Sequence, residues 1–447
     1  MIKRIFLFLT LAALLSACSD NDSFTTNPSA RLTFSVDTVK MDTVFSTVGS
    51  STYTCWVYNN ASDGIRLKSV RLRSGNQTGF RVNVDGSYLD NALGSVVNDL
   101  EVRKGDSIRV FVELTAPENG QKEAQLVEDD VVFALESGTE QSLHLHALAW
   151  DAIPLRKVRV SNDSVIMSEK PIVVYDSMCV DSGVTLTIRS TTLYFHDKAG
   201  IDVKGRLVAS DVLMRGDRLD HMFDYLPYDR ISGVWEGLRF HSTSTRNSLV
   251  NTEIRNATNA ITVDSAAINP NLPRLYMDHC VVHNSKGVGL CANGAFVGLE
   301  YCQLSNTLSD CVAIYGGVAI MDHCTLAQFY PFSAKRGAAL RFTNFIEDNS
   351  CALELLKLTN SIVTGYADDV IMGEVRDTTV TYNYYFENNL LRTPAVEDTV
   401  RFVNNIWEEP NDTTTGGKKH FVLIDEKNLK YDFHLDSLST AKGKGCY

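Results

Sequence analysis

Three stretches near the middle of the chain decide its fold: LYMDHCVV at residues 275–282, VGLEYCQL at 297–304 and AIMDHCTL at 319–326. Each has a large apolar residue, an acid, a His or Tyr and a Cys at the same positions, and the pattern returns every 22 residues. A repeat of this kind indicates stacked units, none of which can bury its apolar side alone. The repeat predicts the rungs of a right-handed parallel β-helix.

Seven copies of this rung pattern can be followed along the chain. They begin at Leu249, Met277, Leu299, Met321, Leu358, Phe386 and Phe402. The first and sixth positions are large and apolar, and we expect them to fill the core. The third position is Asn, His or Tyr, where the chain must bend and where Asn tolerates a left-handed backbone. A second turn is expected at Asn256, Asn284 and Asn306.

The fourth position of the pattern is small and should face inward just past the bend. Cys280, Cys302 and Cys324 occupy it on successive rungs, out of ten Cys in the chain. Equivalent Cα atoms on neighbouring rungs lie about 4.8 Å apart, but their side chains point in parallel rather than toward each other. We therefore expect buried free thiols rather than disulfide bonds.

The second position points outward, and Asp278, Glu300 and Asp322 would stack there on consecutive rungs. Like charges about 5 Å apart repel unless they are hydrated or bridged by a cation. The column is a candidate Ca²⁺ site, and the alternative is a solvated acidic ridge. Outward carboxylates of this kind resemble those of pectate-lyase-like β-helices, which implies a calcium-dependent lyase acting on uronate polysaccharides. Lys286 and Arg255 are the basic residues that flank the column.

The first residues of the chain predict a targeting segment. Lys3 and Arg4 precede an apolar run at residues 5–15 that is too short to span a membrane. The sequence LSAC at 15–18 resembles a bacterial lipobox, which implies a signal peptide over residues 1–17 and lipid attachment at Cys18. Residues 18–30 are expected to form a flexible tether. SDND at 19–22 resembles the surface-export signal of Bacteroidota-type lipoproteins, which implies an outer-membrane protein that faces outward.

Residues 31–151 predict about seven short alternating strands, a pattern typical of a β-sandwich. The order of the strands and turns resembles that of Ig-like domains of the major-sperm-protein and ciliary type. This resemblance implies a domain that serves in packing or spacing rather than in catalysis. DTVKMDTVF at 37–45 resembles the opening of a family of β-helix lipoproteins. We expect a transition over residues 152–183 and the β-helix over 184–447, with a C-terminal segment that covers the open end of the stack.

One aromatic residue is a candidate ligand contact. GVWEGLRF at residues 233–240 resembles a Trp-containing element of the same β-helix lipoproteins. Trp235 could stack on a sugar, and the alternative is a Trp that fills the gap between rungs.

A second motif is scattered along the chain, namely Asp followed by Ser or Thr and then an apolar residue or Thr. It occurs at Asp37, Asp42, Asp106, Asp163, Asp176, Asp264, Asp377, Asp398, Asp412 and Asp436. The motif resembles the O-glycosylation acceptor pattern of exported Bacteroidota proteins. The alternative is a turn that begins a strand.

Composition narrows the choice of partner. The chain has 447 residues, enough for two domains, and its formal net charge of −12 argues against nucleic acid or anionic lipid as a partner. We expect a non-catalytic cell-envelope lipoprotein that presents its β-helix surface to a glycan or protein and needs no cofactor. The alternative is the calcium-dependent uronate lyase.

Overall fold

The computed structural model describes residues 23–220, 227, 229–367, 369–409, 412 and 414–447. The chain divides into two compact units, residues 1–151 and 152–447. The predicted signal peptide and Cys18 lie outside the described residues. The described part contains strands and two short 3-10 turns, Asn91–Leu93 and Gly417–His420, so the all-β prediction is confirmed. No helix within these ranges is long and apolar enough to cross a membrane.

The N-terminal unit is a sandwich of two five-stranded sheets, as predicted. In spatial order, one sheet contains Thr33–Phe34, Tyr53–Tyr58, Ser107–Leu114, Phe80–Val84 and Ser87–Tyr88. The other contains Thr38–Phe45, Glu140–Trp150, Gln125–Leu135, Ile65–Leu72 and Val96–Val102. Alternate residues of the strands face inward, and the fully buried ones include Val57, Val70, Val82, Val110 and Phe133. This apolar layer joins the two sheets.

The C-terminal unit is a parallel β-helix in which 25 strands are hydrogen-bonded in one coil. In chain order the strands are Ile153–Leu155, Arg159–Val160, Ser164–Ile166, Ile172–Val174, Met178–Val180, Thr185–Phe195, Gly200–Val203, Arg206–Gly216, Gly237–Phe240, Asn247–Arg255, Ile261–Val263, Leu275–Asp278, Val281–Ser285, Leu290–Glu300, Gln303–Thr307, Val312–Asp322, Thr325–Gln328, Leu340–Thr343, Leu353–Thr359, Ile362–Gly365, Ile371–Glu374, Tyr382–Glu387, Leu390–Leu391, Phe402–Val403 and Ile406–Trp407. Two small antiparallel pairs accompany them, Phe345–Ile346 with Asn349–Ser350 and Phe421–Asp425 with Lys430–Leu435.

Each turn of the coil has three faces. Face A precedes the bend of the rung pattern, face B follows the bend, and face C leads back to the next face A. Long strands such as Thr185–Phe195 and Arg206–Gly216 run through the bend from face A to face B. The inward side chains of the three faces form one continuous apolar core.

The predicted register is confirmed. The first positions pair from rung to rung in the order Leu249, Met277, Leu299, Met321, Leu358, Phe386 and Phe402. All seven third-position residues are left-handed, with φ from 45° at Asn251 to 58° at Asn388. The second turn is left-handed as well, at Asn256, Asn284 and Asn306. The repeat therefore specifies where the chain bends as well as which side chains are buried.

The fourth-position cysteines are buried free thiols, as predicted. Cys280, Cys302 and Cys324 are at most 1% exposed, and the cysteines of the described chain are unpaired. Burial raises the pKa values of the Cys302 and Cys324 thiols well above their ordinary range. These thiols act as small core residues.

The predicted transition over residues 152–183 is wrong, because the coil begins there. Ile153–Leu155 pairs in parallel with Ile172–Val174, and Ser164–Ile166 pairs with the strand that begins at Thr185. These first strands have only two or three residues, too few to show an alternating pattern.

The C-terminal segment covers the side of the coil. The expectation that it would cover the open end of the stack is therefore wrong. We call residues 417–447 the C-terminal strap. Phe421 packs on Phe329 and Phe433 packs on Phe421, in a cluster with the face B residues Ala327, Ile362 and Leu390. Lys444 Nζ donates to the Asn388 carbonyl at 2.6 Å, and Tyr447 Oη donates to Gln303 Oε1 at 3.0 Å. The strap therefore runs back along face B.

Candidate functional site

The predicted acidic column forms, but its carboxylates bond to neighbouring residues. Asp278, Glu300 and Asp322 are in register on consecutive rungs. Asp278 Oδ1 lies 2.6 Å from His279 Nδ1, and Asp322 Oδ1 accepts a hydrogen bond from Thr359 Oγ1 at 2.5 Å. Among the residues that the structure describes, no group of three His, Cys, Asp or Glu side chains is arranged to hold a metal ion. The geometry gives the calcium prediction no support.

The bend residues beside the acidic column form a stack of rings. Tyr301 lies between His279 and His323, with centroid separations of 4.9 Å and interplanar angles of 20° on both sides. The faces of the Tyr301 ring are therefore covered by its neighbours. The stack stabilises the ridge between faces A and B and offers no open ring face at its centre.

Trp235 is buried, so the prediction that it contacts a sugar is wrong. Its side chain is 1% exposed, and its ring stacks on Phe195 at a centroid distance of 4.2 Å. Trp235 Nε1 donates to the Arg255 carbonyl at 2.7 Å. The ring fills the space between rungs and cannot reach a bound sugar.

The Asp-Ser/Thr motif has a local structural role at several positions. The Asp377, Asp398 and Asp436 carboxylates each accept a hydrogen bond from the backbone N–H two residues later, at 2.9, 3.1 and 2.8 Å. Such bonds stabilise turns. Glycosylation at these motifs stays a prediction.

A cleft of about 640 Å³ lies on the outer side of face B and is the strongest candidate for a binding site. Its floor is formed by outward side chains of face B. One wall is the strap, from Leu429 to His434 together with Tyr447, and the other includes Asp229, Arg230, Pro331 and Phe332. The site belongs to the C-terminal unit alone.

The floor carries a column of basic and polar side chains on adjacent rungs. Arg255 pairs with His283, and His283 pairs with Ser305. Met214 pairs with Ile254, which places Arg215 beside Arg255 on the next rung. We call Arg215, Arg255 and His283 the basic column.

The two arginines of the basic column have different partners. Arg215 donates to the carbonyls of Arg218 and Asp229, both at 3.2 Å. Arg255 Nε is paired with Glu253, two residues earlier on the same strand. Burial lowers the pKa of the Arg215 guanidinium, and the charge of Arg255 acts in the same direction. Two guanidinium groups thus lie side by side at the floor of the cleft.

The left-handed Asn residues of the second turn position the neighbouring wall. Asn256 Nδ2 donates to the Asp229 carbonyl at 2.8 Å, and Asn284 Nδ2 donates to the Arg230 carbonyl at 2.6 Å. Asn284 Nδ2 also donates to Asn256 Oδ1 at 2.8 Å, so the two amides support each other. The backbone of the wall at Asp229 and Arg230 is therefore fixed to the rungs.

The strap supplies aromatic groups. Tyr431 and Phe433 pack against the His283 ring, with centroid distances of 5.1 and 6.1 Å. Burial, with a smaller contribution from Arg255, lowers the pKa of His283 to about 3. Phe332 and Tyr447 are 44% and 46% exposed and line the cleft. The His434 ring packs on Tyr447 at a centroid distance of 4.3 Å, so Tyr447 can offer a ligand its other face.

Sequence reasoning missed the basic column, although a signal for it exists. Arg215, Arg255 and His283 each lie four residues after a left-handed bend residue, at Asp211, Asn251 and His279. The same offset on consecutive rungs predicts one outward column. The strap wall has no comparable signal, because its position depends on contacts between distant parts of the chain.

A second polar cleft, of about 460 Å³, lies along face C. Two of its lining residues bond to the neighbouring His241, whose Nε2 is 2.9 Å from Asp202 and whose Nδ1 is 3.6 Å from Asp264. Arg239 Nε is also paired with Asp264, at 3.1 Å. These polar groups bond to each other, and no aromatic side chain lines the cleft in the described part of the chain. The face B cleft is therefore the better candidate.

No protein-family model matches the chain, and no curated protein matches it in sequence. Among solved structures, the A-module of mannuronan C-5 epimerase AlgE6 from Azotobacter vinelandii aligns over 58% of this chain and 89% of its own, with 9% identity and a TM-score of 0.30. The catalytic unit of a GH87 α-1,3-glucanase from Streptomyces thermodiastaticus aligns over 79% and 88%, with 12% identity and a TM-score of 0.29. A PapD-like domain of human CEP192 aligns over 28% and 90%, with 13% identity and a TM-score of 0.19. Similarities this weak do not assign an activity.

Proposed function

We propose that the protein is a lipid-anchored cell-envelope protein that binds a glycan in the face B cleft without cleaving it. The observation that carries the proposal is the combination of exposed rings, Phe332 and Tyr447, with the basic column in one cleft of about 640 Å³. A sugar presents C–H groups that pack on aromatic faces and hydroxyl groups that bond to polar side chains. Concave sites with a few convergent polar groups are typical of ligand binding.

Two partly buried groups of the cleft, His283 and Tyr431, have pKa values unsuited to general acid–base catalysis. General acid–base catalysis works best when the pKa of the group lies near the operating pH. The pKa of His283 is lowered to about 3 by burial and by Arg255, whereas burial raises the pKa of Tyr431 far above its usual range. His283 and Tyr431 are therefore poor candidates for a general acid or base at neutral pH.

The binding test uses the purified protein and a panel of neutral and acidic oligosaccharides, with affinity measured by isothermal titration calorimetry. We expect Tyr447→Ala to weaken binding about 10-fold, because a well-placed aromatic ring contributes on the order of 1 kcal/mol beyond its buried area. Tyr88→Ala is the matched control, since Tyr88 is 47% exposed on the N-terminal unit. Equal effects of the two substitutions, or no binding across the panel, would contradict the proposed site.

The same panel tests the competing lyase function. Absorbance of unsaturated products reports β-elimination, and new reducing ends report hydrolysis. We expect neither, with or without added Ca²⁺. Product release would overturn the non-catalytic proposal and restore the uronate lyase.

The anchoring part of the proposal rests on the sequence near Cys18. Acyl chains on this Cys would hold the protein at the outer membrane, with the β-helix facing outward. Cys18→Ser should move the protein from the membrane fraction to the soluble fraction and abolish labelling with a fatty-acid probe. Protease treatment of intact cells then tests the outward orientation, because only an outward-facing chain is digested.

A further inference from the structure

The face B cleft carries three arginines from separate parts of the coil: Arg215, Arg230 and Arg255. Arg230 is paired with Asp229 and Arg255 with Glu253, whereas Arg215 bonds to backbone carbonyls. Building on the proposed glycan function, we propose that the ligand is an acidic saccharide whose carboxylate or sulfate group binds between Arg215 and Arg255. A guanidinium group presents paired donors in a planar fork that matches such oxyanions.

The arrangement of the two arginines carries this inference. Equivalent side chains on adjacent rungs are about 4.8 Å apart, and like charges directly opposite each other are unfavourable. The hydrogen bonds of Arg215 in the structure go to backbone carbonyls, namely those of Gly216, Arg218 and Asp229. Carbonyl acceptors orient the guanidinium, and its charge is offset through space by the carboxylates of Asp229 and Glu253. An oxyanion between the two side chains would offset their repulsion and gain charge-assisted hydrogen bonds.

Glu253 sets the strength of this subsite. It lies on the same strand and face as Arg255, is paired with Arg255 Nε, and lines the same cleft. Its carboxylate competes with an incoming anion for Arg255 and also repels that anion. Removing the charge of Glu253 should therefore tighten the binding of an acidic ligand, whereas removing the charge of Arg255 should weaken it.

The experiment compares tetrasaccharides of galactose, galacturonic acid and sulfated galactose by calorimetry. We expect Arg255→Gln to weaken the acidic ligands about 10- to 100-fold, the range for a hydrogen bond to a charged group. Glu253→Gln should strengthen them about two- to fivefold, as expected for loss of a partly exposed ion pair. Arg189→Gln is the control, since Arg189 is an exposed arginine on face A. Thermal unfolding of each variant verifies that the fold is retained.

The outcomes separate this inference from the function on which it rests. Tighter binding of the galacturonate or of the sulfated ligand, with opposite effects of Arg255→Gln and Glu253→Gln, supports the acidic subsite and identifies the anion. If all three tetrasaccharides bind equally and neither variant matters, the inference fails while glycan binding stands. If no saccharide binds, both fail together. Added salt gives a further readout, because it should weaken the acidic ligands and leave the neutral one unchanged.

Discussion

The attachment of the C-terminal strap depends on a buried carboxylate, Glu408. Its side chain is 5% exposed and is paired with Arg392, whose side chain is 6% exposed. Glu408 also accepts hydrogen bonds from the backbone N–H of Gly417, at the start of the strap, and from Thr364 Oγ1. His420, which belongs to the strap, places its Nε2 3.4 Å from Glu408 Oε2. One carboxylate thus joins the rungs to the strap.

We predict that Glu408→Gln releases the strap. The amide has nearly the same shape, so the main loss is the charge that compensates the buried Arg392. Breaking a buried ion pair by removing one partner costs about 3–5 kcal/mol. At about 1.4 kcal/mol for each factor of ten, strap opening should become roughly 100- to 4,000-fold more frequent. Hydrogen exchange of the amides in Phe421–Asp425 and Lys430–Leu435 measures this opening.

The pH dependence has a defined sign. Burial alone would raise the pKa of Glu408, but the neighbouring His420 and Arg392 outweigh this effect and lower it. Because the folded-state pKa is lowered, the stabilisation is complete above the usual Glu range and is lost as pH falls through the folded value. Protection of the strap should therefore fall in acid in the native protein and change little in Glu408→Gln. Glu409→Gln is the matched control, because Glu409 is the exposed neighbour. Equal strap protection in the two variants would refute the role given to Glu408.

Three further predictions concern the coil. Gly237→Ala should cost about 2 kcal/mol or more in the free energy of unfolding, because Gly237 has φ +107° and a Cβ there would lie 1.8 Å from the Asn259 carbonyl oxygen. Gly183→Ala, at φ +78° with open space around it, should cost only about 1 kcal/mol, and urea unfolding that ranks the two equally would contradict this account. Tyr301→Val should lower the free energy of unfolding by about 1 kcal/mol more than Tyr301→Asn. Both substitutions remove the ring stack, but only Val resists the left-handed backbone at φ 50°. Equal thermal stabilities of the two variants would argue against the bend as the cause. Asp322→Ala should leave the response to calcium titration unchanged, since Asp322 bonds to His323, Thr359 and Asn360, and loss of a calcium-binding signal would restore the calcium site.

The rung register could be predicted because its causes are local. Each bend needs a residue that tolerates positive φ, and the bends at His279, Tyr301 and His323 are each followed by a buried Cys. Both features recur at the same positions of the rung pattern in the copies that begin at Met277, Leu299 and Met321, which are 22 residues apart. The same logic failed at residues 152–183, where strands of two or three residues carry no measurable period.

The cleft could be predicted only in part. The basic column follows from a fixed offset of four residues after the bends. Arg215 and Arg255 can therefore be predicted to share a column once Asp211 is identified as a bend residue. The strap wall was not, because its position depends on contacts such as that between Tyr447 and Gln303, which are 144 residues apart. Nothing in the local pattern of either segment specifies the other.

The position of the strap on face B links the stability of the coil to the proposed site. Outward polar groups of face B, such as Ser305, Thr325 and Thr364, are at most 1% exposed, and Thr325 Oγ1 accepts from the Cys446 N–H at 3.2 Å. The cleft forms where strap residues meet the basic column, and Tyr447 belongs to that wall. Strap opening would therefore remove one wall of the cleft while leaving Arg215 and Arg255 on their rungs. If the cleft binds a glycan as proposed, Glu408, although it does not line the cleft, would influence the affinity through the fraction of molecules in which the strap is closed.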